Sequence, residues 1–174
     1  MGEGAQTKST LVLHDLPALQ AADLLPGDSA SFAVFSALPA VHYCMGCFGC
    51  WLRTPGTCVL KDRGSEFAGL FSRHENFYVV SRLVFGGLSP DVKAVLDRSI
   101  GILLPFFRTT HKEMHHGLRY DKRPDFHYLF YGDATEQEVA TARKLVRANM
   151  INFEPENYSV DFYGSPQEAV GALP

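Results

Sequence analysis

Four closely spaced cysteines are the first residues whose types and spacing could carry chemistry. They follow the pattern Cys44-x2-Cys47-x2-Cys50-x7-Cys58, in a segment rich in glycine and proline. Three cysteines at this spacing can bind three corners of a [4Fe–4S] cluster, with Cys58 as the fourth ligand. The x2 spacing also suits a redox dithiol such as Cys47–Cys50. A loop of unliganded thiols is the third interpretation, and the spacing leaves all three open.

A glycine-containing loop, Arg82–Ser89, is the second candidate for chemistry. Gly86 and Gly87 allow the backbone to approach a planar ring and to present N–H donors to its edge. The alternative is an ordinary connection between a strand and a helix. Trp51, the only tryptophan, could cover one face of such a ring or pack in the interior.

The polar segment His111–Pro124 is rich in histidine and arginine. Adjacent residues such as His115 and His116 cannot share one helical face, and the segment contains no H-x-x-x-H motif, so the pattern does not favour a metal site. A lid over the ligand site, a subunit contact or a plain polar loop is expected, with Arg119 and Arg123 offering charge to a nucleotide phosphate. The pattern leaves open the roles of Glu113, His115, His116 and Arg119.

Short apolar runs and helical spacings alternate along the chain. Strands are predicted at Thr10–His14, Ser31–Ala37, Phe77–Ser81, Phe126–Tyr131 and Tyr158–Phe162. Helices are predicted over 18–25, 63–73, 90–104 and 135–149. This alternation predicts an α/β fold with a parallel sheet between two helical layers. Ligands bind such sheets at the carboxyl ends of the strands, so we expect the cysteines to lie there beside Gly86 and Gly87.

The composition is that of a globular domain. Of 174 residues, 46% are hydrophobic and 20% are charged, with a net charge of −3. This charge argues against a nucleic-acid partner. The apolar runs are too short to span a membrane, and the first residues lack the apolar core of a signal peptide. We therefore expect a cytoplasmic protein with a flexible leader at 1–9 and one domain over 10–174.

Three segments resemble the flavodoxin-like NADPH-dependent FMN reductase superfamily. They are CMGCFGCWLRTPGTCVLKD (Cys44–Asp62), SRLVFGGLSPDVKAVLDR (Ser81–Arg98) and EMHHGLRYDKRP (Glu113–Pro124). The resemblance implies a flavodoxin-like three-layer sandwich with five parallel strands in the order 2-1-3-4-5. It also implies an FMN-dependent oxidoreductase that takes electrons from NAD(P)H, passes them to an unidentified acceptor and forms a homodimer. In this superfamily the loop after the third strand lies along the flavin ring. The cofactor-binding residues implied here are Ser81, Arg82, Leu83, Val84, Phe85, Gly86 and Gly87, together with Trp51.

The turn after the first strand departs from the family pattern. The family carries Gly-Ser-Pro-Arg there, with serine, threonine or asparagine around the FMN phosphate, whereas this chain has His14-Asp15-Leu16-Pro17. Pro17 has no N–H to donate. Asp15 is expected to cap the first helix and to repel a phosphate. FMN is therefore expected to bind weakly, through its ring alone or with its phosphate held elsewhere.

This departure keeps two further functions open. One is a flavodoxin-like protein that has lost its flavin and serves as a binding or regulatory module. The other is an electron carrier, because a compact cysteine motif like Cys44–Cys58 also marks the iron–sulfur flavoproteins of the superfamily.

Overall fold

The structure of the protein is a computed structural model that describes residues 9–25, 29, 31–110 and 112–174. Residues 1–8 of the predicted leader lie outside the described residues, as does His111. Ser9 is described: its N–H donates to Glu75 Oε2 at 3.1 Å, and its carbonyl accepts from the N–H groups of Glu75 and Asn76.

Seven strands and six helices form within the described ranges. The strands are β1 (Thr10–His14), β2 (Phe32–Ser36), β3 (Asn76–Arg82), β4 (Leu103–Thr110), β5 (Glu113–Leu118), β6 (Asp125–Tyr131) and β7 (Tyr158–Tyr163). The helices are α1 (Ala18–Leu24), α2 (Gly49–Leu52), α3 (Phe67–Phe71), α4 (Pro90–Arg98), α5 (Glu136–Phe153) and α6 (Pro166–Gly171). The described helices include none that is both long and apolar enough to cross a membrane.

Five parallel strands form the central sheet, in the order β2-β1-β3-β6-β7. The predicted fold class is confirmed. Strands β4 and β5 form a separate hairpin, and when the remaining five strands are numbered along the chain, their order is the predicted 2-1-3-4-5. All five predicted strands are found, and none of their ends differs from the prediction by more than one residue. The carboxyl ends of β1, β3 and β6 therefore lie side by side, which fixes the edge where a ligand site is expected.

Residue alternation along the strands divides the core into two layers. Leu11 and Leu13 face the larger layer, which α3, α4 and α5 cover. Val12 faces the smaller layer, which includes Ala169 and Val170 of α6 and partly buried residues of α1. This arrangement follows from the two-residue period of a strand. Because α1 has no fully buried residue, it covers its face of the sheet only in part.

The stretch after α4 differs from the prediction. A helix was expected to continue to Pro105, but α4 ends at Arg98, and a short 3-10 turn leads into β4. Pro105 lies where the register of β4 with β5 is interrupted, between Leu103 and Phe107. Proline is tolerated at such irregularities because it need not donate to the ladder. The predicted polar excursion over 111–124 thus contains β5, the second strand of an antiparallel hairpin.

One buried guanidinium connects the cysteine segment to α4. The Arg98 side chain is fully buried, and its Nη1 lies 2.5 Å from both carboxylate oxygens of Asp62. Its other nitrogens donate to the Leu60 carbonyl at 3.0 Å and to the Cys58 sulfur at 3.4 Å. Nη1 also donates to the His42 carbonyl at 3.3 Å. A buried cation needs this complete set of partners, because each missing one leaves charge without solvation.

Removing the Asp62 charge should therefore destabilise the fold strongly. We expect Asp62→Asn to lower the free energy of unfolding by about 3 kcal/mol, because a buried guanidinium loses its counter-charge. Asp97→Asn is the matched control on the same helix, since Asp97 pairs with Lys93 in solvent. The control should cost about 0.5 kcal/mol. Urea denaturation at neutral pH measures both, and equal losses would contradict the role given to Arg98.

Candidate functional site

The turn after β1 places a buried carboxylate between three strand ends. Asp15 accepts hydrogen bonds from the Arg82 N–H at 3.0 Å and from the Tyr131 hydroxyl at 2.9 Å. Arg82 and Tyr131 are the last residues of β3 and β6, so Asp15 joins the carboxyl ends of β1, β3 and β6. Burial and the nearby Asp15 charge raise the pKa of Tyr131 well above its ordinary value. The Tyr131 hydroxyl therefore stays protonated at neutral pH and can donate to Asp15.

The expectation that Asp15 caps α1 is wrong. The residue at the start of α1 is Pro17, with no side-chain cap, and the Asp15 carboxylate is committed to Arg82 and Tyr131. A carboxylate with these two donors is already satisfied, so the unpaired N–H groups of the short first helix do not attract it.

This turn does not fit the phosphate of FMN. The Asp15 N–H donates to the Val80 carbonyl, and the Leu16 N–H donates to His14 Nδ1 at 3.1 Å. Pro17 has no N–H, so three consecutive positions offer no donor to an anion. The Asp15 carboxylate would also repel one. The departure seen in the sequence thus has a structural counterpart: hydrogen bonds within the protein take the place of a phosphate-binding turn.

The loop after β3 is clamped at its base and open at its tip. Ser81 Oγ accepts from the Ser89 N–H at 3.0 Å, and Val84 and Gly87 exchange two backbone hydrogen bonds. Ser81 and Leu83, both implied as cofactor contacts, are buried in the protein. Gly86 has a φ of 75° and lies against α5, where a Cβ would come within 2.7 Å of Thr141 Cβ. Only glycine fits that position.

The tip of this loop presents an aromatic ring and two free donors. Phe85 is 92% exposed and adopts a positive φ of 50°. In the described part of the chain, the N–H groups of Phe85 and Gly86 form no hydrogen bond within the protein. A bulky residue in this backbone conformation is strained, and such strain is typical of functional sites. The loop can therefore receive a planar ring through stacking and through hydrogen bonds to polar atoms on its edge.

The cysteine segment lies along α4 and the hairpin. Cys58 contacts Arg98, and Cys50 packs against Gly101, where a Cβ would come within 3.3 Å of Cys50 Cβ. Trp51 donates from Nε1 to the Leu103 carbonyl at 3.0 Å. Its ring stacks on Phe48 and lies tilted against His116.

Neither the cysteines nor Trp51 make a described contact with the Arg82–Ser89 loop. Leu88 of that loop does line the same cavity as the four cysteines. That the cysteines lie beside Gly86 and Gly87 therefore stays a prediction. In the connection after β2, the His42 carbonyl accepts a hydrogen bond from Arg98, at the carboxyl end of α4.

The four thiols are neighbours but do not form a cluster site. Burial raises the pKa of Cys50, and the charges of Cys58, Cys44 and Cys47 raise it further. Among the residues with described positions, no three His, Cys, Asp or Glu side chains come close enough to hold a metal ion. Cys44 and Cys47 are exposed and carry no disulfide. The arrangement thus gives no support to the [4Fe–4S] interpretation.

The histidines of the hairpin take part in structural contacts. His115 bonds Glu113 and Asn152, each at 2.9 Å, and so ties β5 to the end of α5. His116 lies on the opposite face of the strand, as the two-residue period requires. Arg119, considered for a nucleotide phosphate, donates to the Gly101 carbonyl at 2.6 Å. Arg123 pairs with Glu154 at 3.5 Å.

Comparisons with known proteins agree with this fold. No family model and no curated protein matches the chain. Solved structures do: an FMN-dependent NADH-azoreductase from Bacillus anthracis in complex with FMN is 14% identical, with a TM-score of 0.55 over 94% of this chain and 92% of that one. An NAD(P)H:quinone oxidoreductase from Methanothermobacter marburgensis is 11% identical, with a TM-score of 0.57 over 95% and 94%. General stress protein 14 from Treponema denticola, in complex with FMN, is 10% identical, with a TM-score of 0.52 over 94% and 94%.

The chain therefore has the flavodoxin-like fold found in these FMN-containing and NAD(P)H-dependent proteins. The resemblance drawn from the cysteine segment and the Ser81–Arg98 segment is confirmed at the level of the fold. Sequence reasoning missed Tyr131 and Arg98 as positioning residues. A signal for each was present, because Tyr131 ends a predicted strand at the ligand edge, and Asp62 and Arg98 end the two segments that carry the resemblance.

His14, next to Asp15, should make stability depend on pH. Burial, with a smaller contribution from the charge of Arg63, lowers the pKa of His14 from 6.5 to about 4. The unfolded chain binds a proton below 6.5, whereas the folded protein does not until about 4. Stability is therefore complete above pH 6.5 and falls as the pH drops towards 4, by roughly 3 kcal/mol in total.

Urea denaturation between pH 7.5 and pH 4 measures this loss. His14→Asn, which keeps an acceptor for the Leu16 N–H, should remove most of the slope. His42→Asn, at an exposed side chain, is the control and should leave the slope unchanged. Asp62 does not interfere: burial pulls its pKa up, but bonds from Arg98, His42 and Gly64 hold it below 3.8, so its stabilisation is lost only at lower pH. A slope between pH 7.5 and pH 5 that persists in His14→Asn would refute the assignment.

Proposed function

We propose that the protein is a flavin-dependent oxidoreductase whose flavin ring lies against the Arg82–Gly87 loop. The observation that carries the proposal is the tip of that loop, where an exposed Phe85 ring stands beside the unpaired N–H groups of Phe85 and Gly86. The loop follows β3 at the carboxyl edge of the sheet, where ligands bind in open α/β folds.

The structural relatives support a flavin and a nicotinamide nucleotide as ligands. Two of them are described in complex with FMN, and their names include an FMN-dependent NADH-azoreductase and an NAD(P)H:quinone oxidoreductase. We take from them the general reaction, in which a bound flavin accepts a hydride from a reduced nicotinamide and passes electrons to an acceptor. The acceptor of this protein is unidentified.

The residues of this chain would bind and orient the ring. The N–H groups of Phe85 and Gly86 would donate to carbonyl oxygens at the edge of the ring, and the Phe85 side chain would cover part of one face. The hydrogen bonds of Asp15 to Arg82 and Tyr131 hold the strand end from which this loop departs. These contacts use the ring and make no demand on a phosphate.

The occupied turn after β1 also favours a second candidate, a flavodoxin-like module that binds a partner without flavin. The Asp15 carboxylate and Pro17 exclude a phosphate from that turn, and the phosphate provides much of the charge by which FMN is recognised. The two candidates differ in one property, namely whether the loop at Phe85 binds a flavin ring at all.

We further propose a homodimer formed through the hairpin. Phe106, Phe107 and Met114 of β4 and β5 are at least 66% exposed, and Leu52 of the adjacent α2 is 78% exposed. Apolar side chains grouped in this way on one surface are typical of protein interfaces. A second copy of the chain is the partner that the resemblance implies.

Titration with riboflavin, followed by quenching of flavin fluorescence, tests the flavin proposal. We expect saturable binding to the wild type and about tenfold weaker binding to Phe85→Ala, because one aromatic contact contributes about 1.5 kcal/mol. Tyr158→Ala is the control, since Tyr158 is an exposed aromatic residue at the opposite edge of the sheet. It should bind riboflavin like the wild type, and bound flavin should be bleached by NADH or NADPH.

No saturable quenching by the folded wild type would overturn the flavin proposal and leave the binding module as the function. Equal affinities for the wild type and Phe85→Ala would place the flavin elsewhere.

A further inference from the structure

Two of the four cysteines lie on chain segments that pack directly against each other. Gly49 approaches the Val59 side chain so closely that a Cβ on Gly49 would lie 2.5 Å from Val59 Cγ1. Cys50 follows Gly49, and Cys58 precedes Val59. A residue without a side chain allows this approach. The backbone thus brings Cys50 and Cys58 alongside each other, although they are well separated in sequence.

The residues at the end of α4 hold both cysteines. The Gly56 N–H donates to the Cys50 carbonyl at 3.0 Å and so closes the turn that leads to Cys58. A Cβ on Gly101 would lie 3.1 Å from the Gly56 carbonyl carbon and 3.3 Å from Cys50 Cβ. Three residues before Gly101, Arg98 Nε donates to the Cys58 sulfur at 3.4 Å. Residues three apart on a helical turn are neighbours, so Cys50 and Cys58 contact the same short stretch of chain.

The two cysteines also line one cavity, and their charges interact. The cavity has a volume of about 580 Å³, and Cys44 and Cys47 contribute to its wall as well. Burial contributes most to the raised pKa of Cys50, and among the thiol charges that of Cys58 contributes more than those of Cys44 and Cys47. The cysteine spacing alone suggests Cys47–Cys50 as a redox dithiol. The packing of the folded chain instead favours Cys50 with Cys58.

The two cysteines differ in exposure, which sets the order in which they can react. Cys50 is 8% exposed, whereas Cys58 is only half-buried, and both are free thiols in this structure. Access is one of the factors that decide which thiol attacks a disulfide. The rest of the cavity wall is predominantly aromatic and aliphatic, so a small uncharged molecule enters at less cost than an ion. Of the pair, Cys58 is therefore the thiol that such a molecule reaches first.

We propose that Cys50 and Cys58 are a redox-active dithiol that a small disulfide converts into an intrachain disulfide. Cys58, as the thiolate, attacks one sulfur of the small disulfide, whose S–S bond breaks and releases one small thiol. Cys50 then gives up its proton and attacks the Cys58 sulfur, which forms the Cys50–Cys58 bond and releases the second small thiol. The two protein thiols lose two electrons and two protons, and the oxidant gains both as it becomes two thiols.

Reaction of the reduced, folded protein with 2-hydroxyethyl disulfide under anaerobic conditions tests the proposal. We expect a Cys50–Cys58 disulfide in the wild type, detected by mass spectrometry after an acid quench and non-reducing digestion. Cleavage after Arg53 separates the two cysteines, so their peptides stay together only through the disulfide. Dithiothreitol should restore both thiols.

A double variant provides the matched control. Cys44→Ser/Cys47→Ser keeps only the proposed pair of the four cysteines. It should lose both remaining thiols to one intrachain bond and retain no adduct of the small thiol. If this variant does not fold, the linkage found in the wild type still decides the question.

A further replacement in the double variant tests the order of attack. With Cys50→Ser added, Cys58 can attack but the product cannot be resolved, so the mixed disulfide should accumulate at Cys58. With Cys58→Ser added instead, the buried Cys50 should react at least about tenfold more slowly, because the oxidant has little access to it.

A wild-type bond that joins Cys47 to Cys50 in preference to Cys58 would overturn the proposal. Stable adducts on both Cys50 and Cys58 in the double variant would overturn it too, as would a Cys50–Cys58 bond that forms only in urea. Equal reaction rates of the two single thiols would refute the order of attack. Because no flavin takes part in these reactions, failure of the flavin proposal would leave each of these outcomes unchanged.

Discussion

The ion pair between Arg98 and Asp62 is the interaction on which the position of the cysteine segment depends. Its guanidinium is buried and bonds Asp62, Leu60, His42 and Cys58, all of which belong to the segment between β2 and α3. A buried charge tolerates few alternative arrangements, because each lost bond leaves it unsolvated. The pair thus holds a long connection, with little regular structure of its own, against the end of α4. Cys44, Cys58 and Leu60 of that connection line a cavity of about 580 Å³.

A second buried acid organises the opposite end of the molecule. Asp15 satisfies donors from β3 and β6 and so fixes the carboxyl ends of the central strands relative to one another. Its hydrogen bonds also occupy the turn after β1, which offers no free donor to an anion. The same residue therefore ties the strand ends together and disfavours an anion at that turn. What remains available at that edge is the exposed tip of the loop at Phe85.

Much of the fold could be predicted from the sequence, because the information is local. Short apolar runs gave the five sheet strands, and the capping box at Thr135 and Glu138 marks the start of α5 as predicted. The hairpin could not be recognised in the same way, since Pro105 stops a helix but is also compatible with an irregular strand. The ligand edge followed from strand order alone.

The position of the cysteine segment could not be predicted, since it depends on contacts distant in sequence. Cys58 and Arg98 are 40 residues apart in sequence, and only the folded structure shows that the guanidinium holds the cysteine segment against α4. The prediction that Asp15 caps α1 failed for a similar reason. The position of Asp15 in the sequence suits a helix cap, but its carboxylate instead accepts hydrogen bonds from Arg82 and Tyr131, which belong to other strands.

The relative affinity for lumiflavin and FMN tests the central claim most directly, because lumiflavin is the bare ring without ribityl chain or phosphate. If the loop at Phe85 holds the ring and the turn at Asp15 offers nothing to a phosphate, the two dissociation constants should agree within about tenfold. Several charge-assisted hydrogen bonds to a phosphate would instead favour FMN by about a thousandfold or more. Such a preference would contradict the account.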